Sequence, residues 1–358
     1  MRPAFSSPKS VFSLSLLLAL LMALPELVSS TGWKDRRDIY PAIPLSQGPF
    51  QWVQEKIFGA AGEIDVVFMG SSHIWSGVDA PYVQRKLTER LGRTAKVITL
   101  AWPWAGLDAE YIVARDLLEN HHVQMLVIDD TGGGDHPHLN SSRWFRIGSN
   151  SETLDGLPLL PRARLYSSAV LGMPRQLLSF LRPNKLDDHF NGRLNDSVSY
   201  ASIRQNLGAL RVPVIWGAPS FAPFQPHGNA KPDDTLIYSQ ATRSQFQFAP
   251  APNVYQLHFA RKLAQLCKER GTRLVILKMP VFGEDGPIIV SAPELSPDLL
   301  GSSVDVVGIP PQLLWSGVNA GEVKKLFVNL VHLNQNGMEM FTPLVTGALL
   351  RIYESPVH

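Results

Sequence analysis

The chain has 358 residues, 45% of them hydrophobic and 18% charged, enough to build a sizeable core and to exclude overall disorder. Its 33 Lys+Arg against 31 Asp+Glu leave a formal net charge of +2, so the composition carries no electrostatic footprint for nucleic acid. The one cysteine, Cys267, excludes an intrachain disulfide and a cysteine-based metal site.

The first 30 residues read as an address. Arg2 and Lys9 precede an apolar run over 11–24, which Pro25 and Glu26 interrupt. That is the order of a secretory signal, with Val28, Ser29 and Ser30 as a candidate cleavage site. An uncleaved membrane anchor is the alternative, although the run is short of the ~20 residues a full span needs. Either way the remainder is expected on the exported side, periplasmic or extracellular. Residues 31–59 read as a connector ending in a short amphipathic helix at 51–58.

Residues 60–358 read as one α/β domain. Apolar, β-branched runs at 64–69 (IDVVFM), 97–101 (VITLA) and 124–128 (QMLVI) predict strands. Helical periodicity over 80–91 and 107–119 separates them. Strand alternating with helix implies a parallel sheet covered by helices. Residues 131–250 are rich in Gly, Pro, Ser, Asn and Gln and read as an irregular insertion or lid. It carries candidate helices at 174–181 and 200–210 and an apolar run at 212–216. The pattern returns with a helix over 254–270 that Gly271 ends, and a strand over 273–279 (RLVILKM). After a loop-rich stretch at 281–320 comes a last helix over 337–353. Cys267 falls in the apolar pattern of the 254–270 helix and reads as a small core residue.

Ligands of an open parallel sheet bind beyond the carboxyl ends of its strands. Those positions hold Gly70-Ser71-Ser72-His73, then Trp102-Pro103-Trp104-Ala105-Gly106, then Asp129 to Asp135; His332 lies just before the last helix. A serine hydroxyl needs a base to take its proton, and imidazole is the usual one. Ser72 and His332 are therefore the candidate nucleophile and base. The Ser72 amide begins an oxyanion hole and Gly106 can add a second N–H. Ser71 reads as a turn residue, and His73 as a packing or rim residue pointing elsewhere. Trp102 and Trp104 read equally as core or as the wall of a substrate site. The segment Asp135-His136-Pro137-His138 has the spacing of no closed metal site. It reads as a loop at the site's mouth. Neither metal nor cofactor is expected.

The segment IDVVFMGSSHIWSGVDA resembles the first block of the SGNH, or GDSL-type, hydrolase superfamily, with Ser72 in the nucleophile position. VITLAWPWAG is similar to the second block through Gly106. NLVHLNQNGMEMFTPLV is similar to the last, with His332 in the histidine position. The resemblance covers roughly 60–135 and 250–355. It implies a three-layer flavodoxin-like SGNH hydrolase fold with a parallel sheet and a long irregular insertion.

It also implies ester chemistry: a serine esterase or O-acyltransferase acting on an acylated small molecule or on a cell-envelope glycan, with the membrane reached through the N-terminal segment. The chain departs from the family pattern twice. Asn329 stands where the last block has Asp, and the Asn of the third block has no counterpart in Thr131–Asp135. The first departure leaves a slow Ser–His dyad, a different carboxylate such as Asp305, or a catalytically weak binding or assembly factor for envelope polysaccharide modification.

Overall fold

The computed structural model describes residues 7–31, 35–43, 47–145, 154–181, 228–301 and 304–355. The candidate helix at 200–210 and the apolar run at 212–216 lie outside them. An N-terminal helix α1 (Pro8–Ser30) is followed by a 3-10 segment and by α2 (Phe50–Phe58). The α/β core then runs β1 (Glu63–Gly70), α3 (Ser72–Gly77), α4 (Ala80–Leu91), β2 (Val97–Ala101), α5 (Leu107–Asn120) and β3 (His122–Asp129).

Each boundary has a local cause. β1 and β2 are apolar, β-branched runs buried on both faces. Asp79 caps α4 by accepting from the Tyr82 amide, and Gly92 ends it in the left-handed region at φ 65°. The middle segment contributes α6 (Ser141–Phe145), α7 (Leu159–Leu181), β4 (Leu236–Ile237) and β5 (Phe246–Phe248). Then come α8 (Val254–Glu269), β6 (Arg273–Leu277), β7 (Ile288–Val290), β8 (Val304–Gly308) and the long α9 (Gln335–Glu354).

Among the described residues the main sheet has six strands in the order β2-β1-β3-β6-β8-β4. All neighbours pair in parallel except β4, which joins the β8 edge antiparallel. Taken in chain order, the five parallel strands lie 2-1-3-4-5, a common doubly wound arrangement that reverses direction at β1/β3. The α4 crossover moves outward to β2 and the α5 crossover returns to β3. Right-handed connections therefore set these two helices on opposite faces. α5 packs beside α8 on one face, and α4 beside α9 on the other. The core is continuous through both layers, from Trp102 and Leu117 to Phe341 and Ile352.

Three expectations are corrected. The stretch 281–320 is not merely a loop: β8 lies inside it and extends the main sheet. Part of the middle segment is not an insertion over the sheet but a strand of it, since Leu236 pairs with Gly308. The helix expected at 174–181 begins at Leu159 and carries Pro174 in its interior. Cys267 is buried and its thiol is pushed up to about 12 by that burial, which fits a core residue.

Candidate active site

The site starts where β1 stops. Gly70 adopts φ 147°, and a Cβ there would lie 3.2 Å from the Asp129 carboxyl carbon and 3.3 Å from Ile74. The turn thus requires glycine for its backbone conformation, and a side chain there would also press on Asp129 and Ile74. It is clamped to the end of β3: the Ser71 amide donates to Asp129 Oδ2 at 3.0 Å, and the Ser71 hydroxyl donates to the same oxygen. Thr131 Oγ1 donates to Asp129 Oδ1 at 2.5 Å. Burial pushes the Asp129 carboxyl up, while His73 and the Ser71 and Thr131 hydrogen bonds pull it down. Ser71 also accepts from the His73 amide as the N-cap of α3. Its hydroxyl is committed to structure, which leaves Ser72 as the serine that reaches His332.

Ser72 is the first residue of α3 and is 6% exposed. Its Oγ lies 2.7 Å from His332 Nε2, across 260 residues of sequence. A compact loop delivers that imidazole. Phe327 and Leu333 form a β-bridge, the Val328 amide donates to the His332 carbonyl at 2.8 Å, and Asn334 caps α9 by accepting from the Gly337 amide.

The ring's other nitrogen, Nδ1, is 2.9 Å from Asn329 Oδ1. The same oxygen accepts the Val331 and His332 amides at 3.0 Å each. Two backbone donors identify that atom as the amide oxygen, an acceptor only. Nδ1 must then carry the proton, and Nε2 presents its lone pair to the Ser72 hydroxyl. Burial first, then His73, pushes the His332 imidazole down to about 4 from the usual 6.5, so the ring stands neutral as a free base near neutral pH.

His73 does not point away, as the sequence suggested. Its ring stands edge to face against His332, with centroids 5.0 Å apart, and its Nδ1 is buried with no hydrogen-bond partner among the described residues. Asp305 is not a third member. It sits near the amino end of β8, opposite Val275, and pairs with Arg273 at 3.7 Å.

The loop after β2 lies beside the turn, with the Trp102 amide donating to the Gly70 carbonyl at 3.1 Å. Gly106 caps α5 at φ 174°, an extended conformation open to any residue. Glycine is required by packing, since a Cβ would lie 2.7 Å from Asp108 Oδ1 and 2.8 Å from His138 Cβ. Gln256 ties this loop to the one after β3: it accepts the Leu107 amide at 3.0 Å and donates to the Gly134 carbonyl at 2.9 Å. His138 Nδ1 accepts the Asn140 amide, so its Nε2–H faces the Pro103 carbonyl at 3.5 Å. Of the two tryptophans, Trp102 is fully buried, whereas Trp104 is 53% exposed at φ 64°.

Asp135 and His136 are exposed, and His138 is buried in the packing just described. Among the described residues no group of three or more His, Cys, Asp or Glu side chains is placed to hold a metal ion. Sequence reasoning missed Glu110, which is fully buried with both carboxyl oxygens unpartnered among the described residues. Burial, then Asp129 and Asp108, holds it well above the usual carboxyl range. A groove of about 300 Å³ lies between Asp155–Pro158 and α8, and its lining includes no residue of the Ser72–His332 pair.

The arrangement belongs to an α/β protein with a serine, a neutral imidazole and an amide in hydrogen-bonded series at the carboxyl edge of a parallel sheet. No protein-family model matches the chain, and no curated protein matches it either.

Proposed function

We propose that the protein is a serine-dependent esterase or O-acyltransferase of the SGNH type, acting on ester-linked acyl groups of cell-envelope glycans. The observation that carries this reading is the series Ser72 Oγ, His332 and Asn329, at 2.7 and 2.9 Å. The motif resemblance and the 2-1-3-4-5 strand order support it. Export, and contact with a membrane through the N-terminal segment, are part of the same proposal.

In the proposed reaction Ser72 Oγ attacks the ester carbonyl as its proton passes to His332 Nε2. The tetrahedral oxyanion is met by the backbone amides of Ser72 and Gly106. Collapse breaks the bond to the alkoxy oxygen, which leaves with the proton from His332. Water or a sugar hydroxyl then gives its proton to the same nitrogen and attacks the acyl-Ser72 ester, restoring the serine. Trp104 forms a wall of this site.

Asn329 specifically favours a second reading, a catalytically weak protein that binds or assembles envelope polysaccharide machinery. A neutral amide orients the ring but stabilises its protonated form less than a carboxylate does. One set of measurements separates the readings: fluorophosphonate labelling, hydrolysis of a chromogenic acetyl ester, and acyl transfer to a glycan in the presence of a donor. Labelling of the parent and not of Ser72→Ala is the outcome expected for an enzyme. Equal labelling of both would remove Ser72 as nucleophile.

A further inference from the structure

The middle segment carries a surface that the chemistry of Ser72 does not use. Helix α7 packs inward through Leu165, Ala169, Val170 and Met173. On the opposite side Leu160, Leu171 and Leu178 are 63%, 82% and 65% exposed. Their spacings of 11 and 7 residues are close to whole numbers of helical turns, so the three leucines form one outward line. Arg164 and Arg175 each stand four residues after one of these leucines, one turn along the same side. The helix contains no Asp or Glu. Helix α1 touches α7 and exposes Phe12, Leu17 and Leu20 in its turn.

We infer that the leucine line of α7, flanked by its arginines, lies on the surface of an anionic lipid bilayer. Scattered surface leucines need no explanation, but an aligned set beside a second apolar helix does. Leucine on the outward line with arginine beside it, and no acidic residue anywhere along the helix, suits the boundary between acyl chains and negative headgroups. The Arg175 stem follows the apolar surface while its guanidinium reaches the phosphates; Arg164 is turned toward Asp135. Among the described residues no helix is long and apolar enough to cross a membrane, so the contact is an interfacial one.

The placement also has a consequence for the cleft. Arg164 Nη1 approaches the carbonyl and the Oδ2 of Asp135, both at 3.4 Å. Asp135 belongs to the loop following β3, on the edge of the sheet that holds Ser72. Helix α7 therefore sets that edge beside the bilayer.

The inference stands apart from the catalytic reading, and its test uses no substrate. The full-length chain carrying Leu171→Cys is labelled with a polarity-sensitive dye; the native Cys267 is buried. It is mixed with phosphatidylcholine vesicles with or without about a third phosphatidylglycerol. The dye is expected to shift to the blue with the anionic vesicles and to be quenched by nitroxide lipids. Leu171→Asp with Leu178→Asp should weaken vesicle partitioning about tenfold or more. Arg175→Gln should weaken it about fivefold for anionic vesicles only. Circular dichroism of each variant checks the fold. Three results would overturn the inference: no vesicle binding at all, binding with the dye at 171 still in water, or a dye already shielded before lipid is added. The second would leave α1 as the only contact, and the third would mean that protein covers the face.

Discussion

The His73 ring meets the His332 ring at an interplanar angle of 84°, with centroids 5.0 Å apart. The contact is built into the turn after β1, because His73 follows Ser72 on α3 and its amide is held by Ser71. Burial is the larger cause of the low His332 pKa, and repulsion from His73 adds to it.

His73→Gln removes that repulsion, so the His332 pKa rises from about 4 toward the usual 6.5. A general base must be neutral to act. The acid limb of kcat/KM for an acetyl ester should therefore move to higher pH in the variant, and activity should be lost sooner on acidification. A pH–rate profile of both proteins reads the shift; an unmoved limb would assign the depression to burial alone.

Asn329→Asp places a carboxylate on a ring that is already in the productive tautomer. The Val331 and His332 amides that now bond to Asn329 Oδ1 can bond to a carboxylate oxygen equally well, so the loop should keep its shape. In a well-studied triad the reverse change costs about 10⁴ in kcat, partly through a wrong tautomer. With the tautomer preset here, the expected gain is smaller, about 10- to 100-fold in kcat. Asn329→Ala should instead lower kcat by freeing the ring. Steady-state kinetics on the three proteins would sink the proposal if the Asp variant were no faster than the parent.

Much of this site was legible because its signals are local. The β-branched run before Gly70 placed Ser72 at a strand's carboxyl end, and the turn before the last helix placed His332. The orientation of His73 was not legible, since it depends on residues 72–77 being helical. Successive side chains there turn by about 100° and do not alternate between faces, so His73 stays close to the base. Strand β8 was hidden because its five residues include Asp305, whose charge is answered only in space by Arg273. The sequence places the start of helix α7 too late because Pro174 suits a helix's first turn, yet the chain is already helical from Leu159, with Leu165 and Met173 buried ahead of the proline. Glu110 lies inside the periodic stretch 107–119, where nothing in the pattern marks it. No periodicity announces that α5 is buried from Leu107 to Leu118.

Glu110 yields a stability prediction with a definite sign. Its folded pKa is raised well above the usual 4.5, so the folded protein keeps a proton that the unfolded chain releases. Stability from this group is fully present below about pH 4.5 and is lost as pH rises toward the folded pKa. Glu110→Gln keeps the shape and removes the ionisation. Urea unfolding at about pH 7 should show the variant more stable by about 1–3 kcal/mol, and at about pH 4 the difference should vanish. A gain of equal size at both pH values would point to packing and not to the proton.

Trp104 holds a left-handed conformation, φ 64°, that a bulky residue adopts at a cost of about 1–3 kcal/mol. Its surroundings explain how the strain persists. The Trp102 amide is fixed to the Gly70 carbonyl at 3.1 Å, His138 reaches the Pro103 carbonyl, and Gly106 is hemmed in by Asp108 and His138. The loop is determined on both sides of the tryptophan, and the indole is left half in solvent, two residues from Gly106. Trp104→Gly and Trp104→Ala remove the same wall, but only glycine relieves the backbone. The Gly variant should be more stable than the Ala variant by about 1 kcal/mol in urea unfolding. Both should raise KM for a bulky acyl ester several-fold and leave fluorophosphonate labelling of Ser72 intact. Unchanged KM in both variants would show that the strained indole serves the loop and not the substrate, whereas loss of labelling would mean that the loop itself had moved.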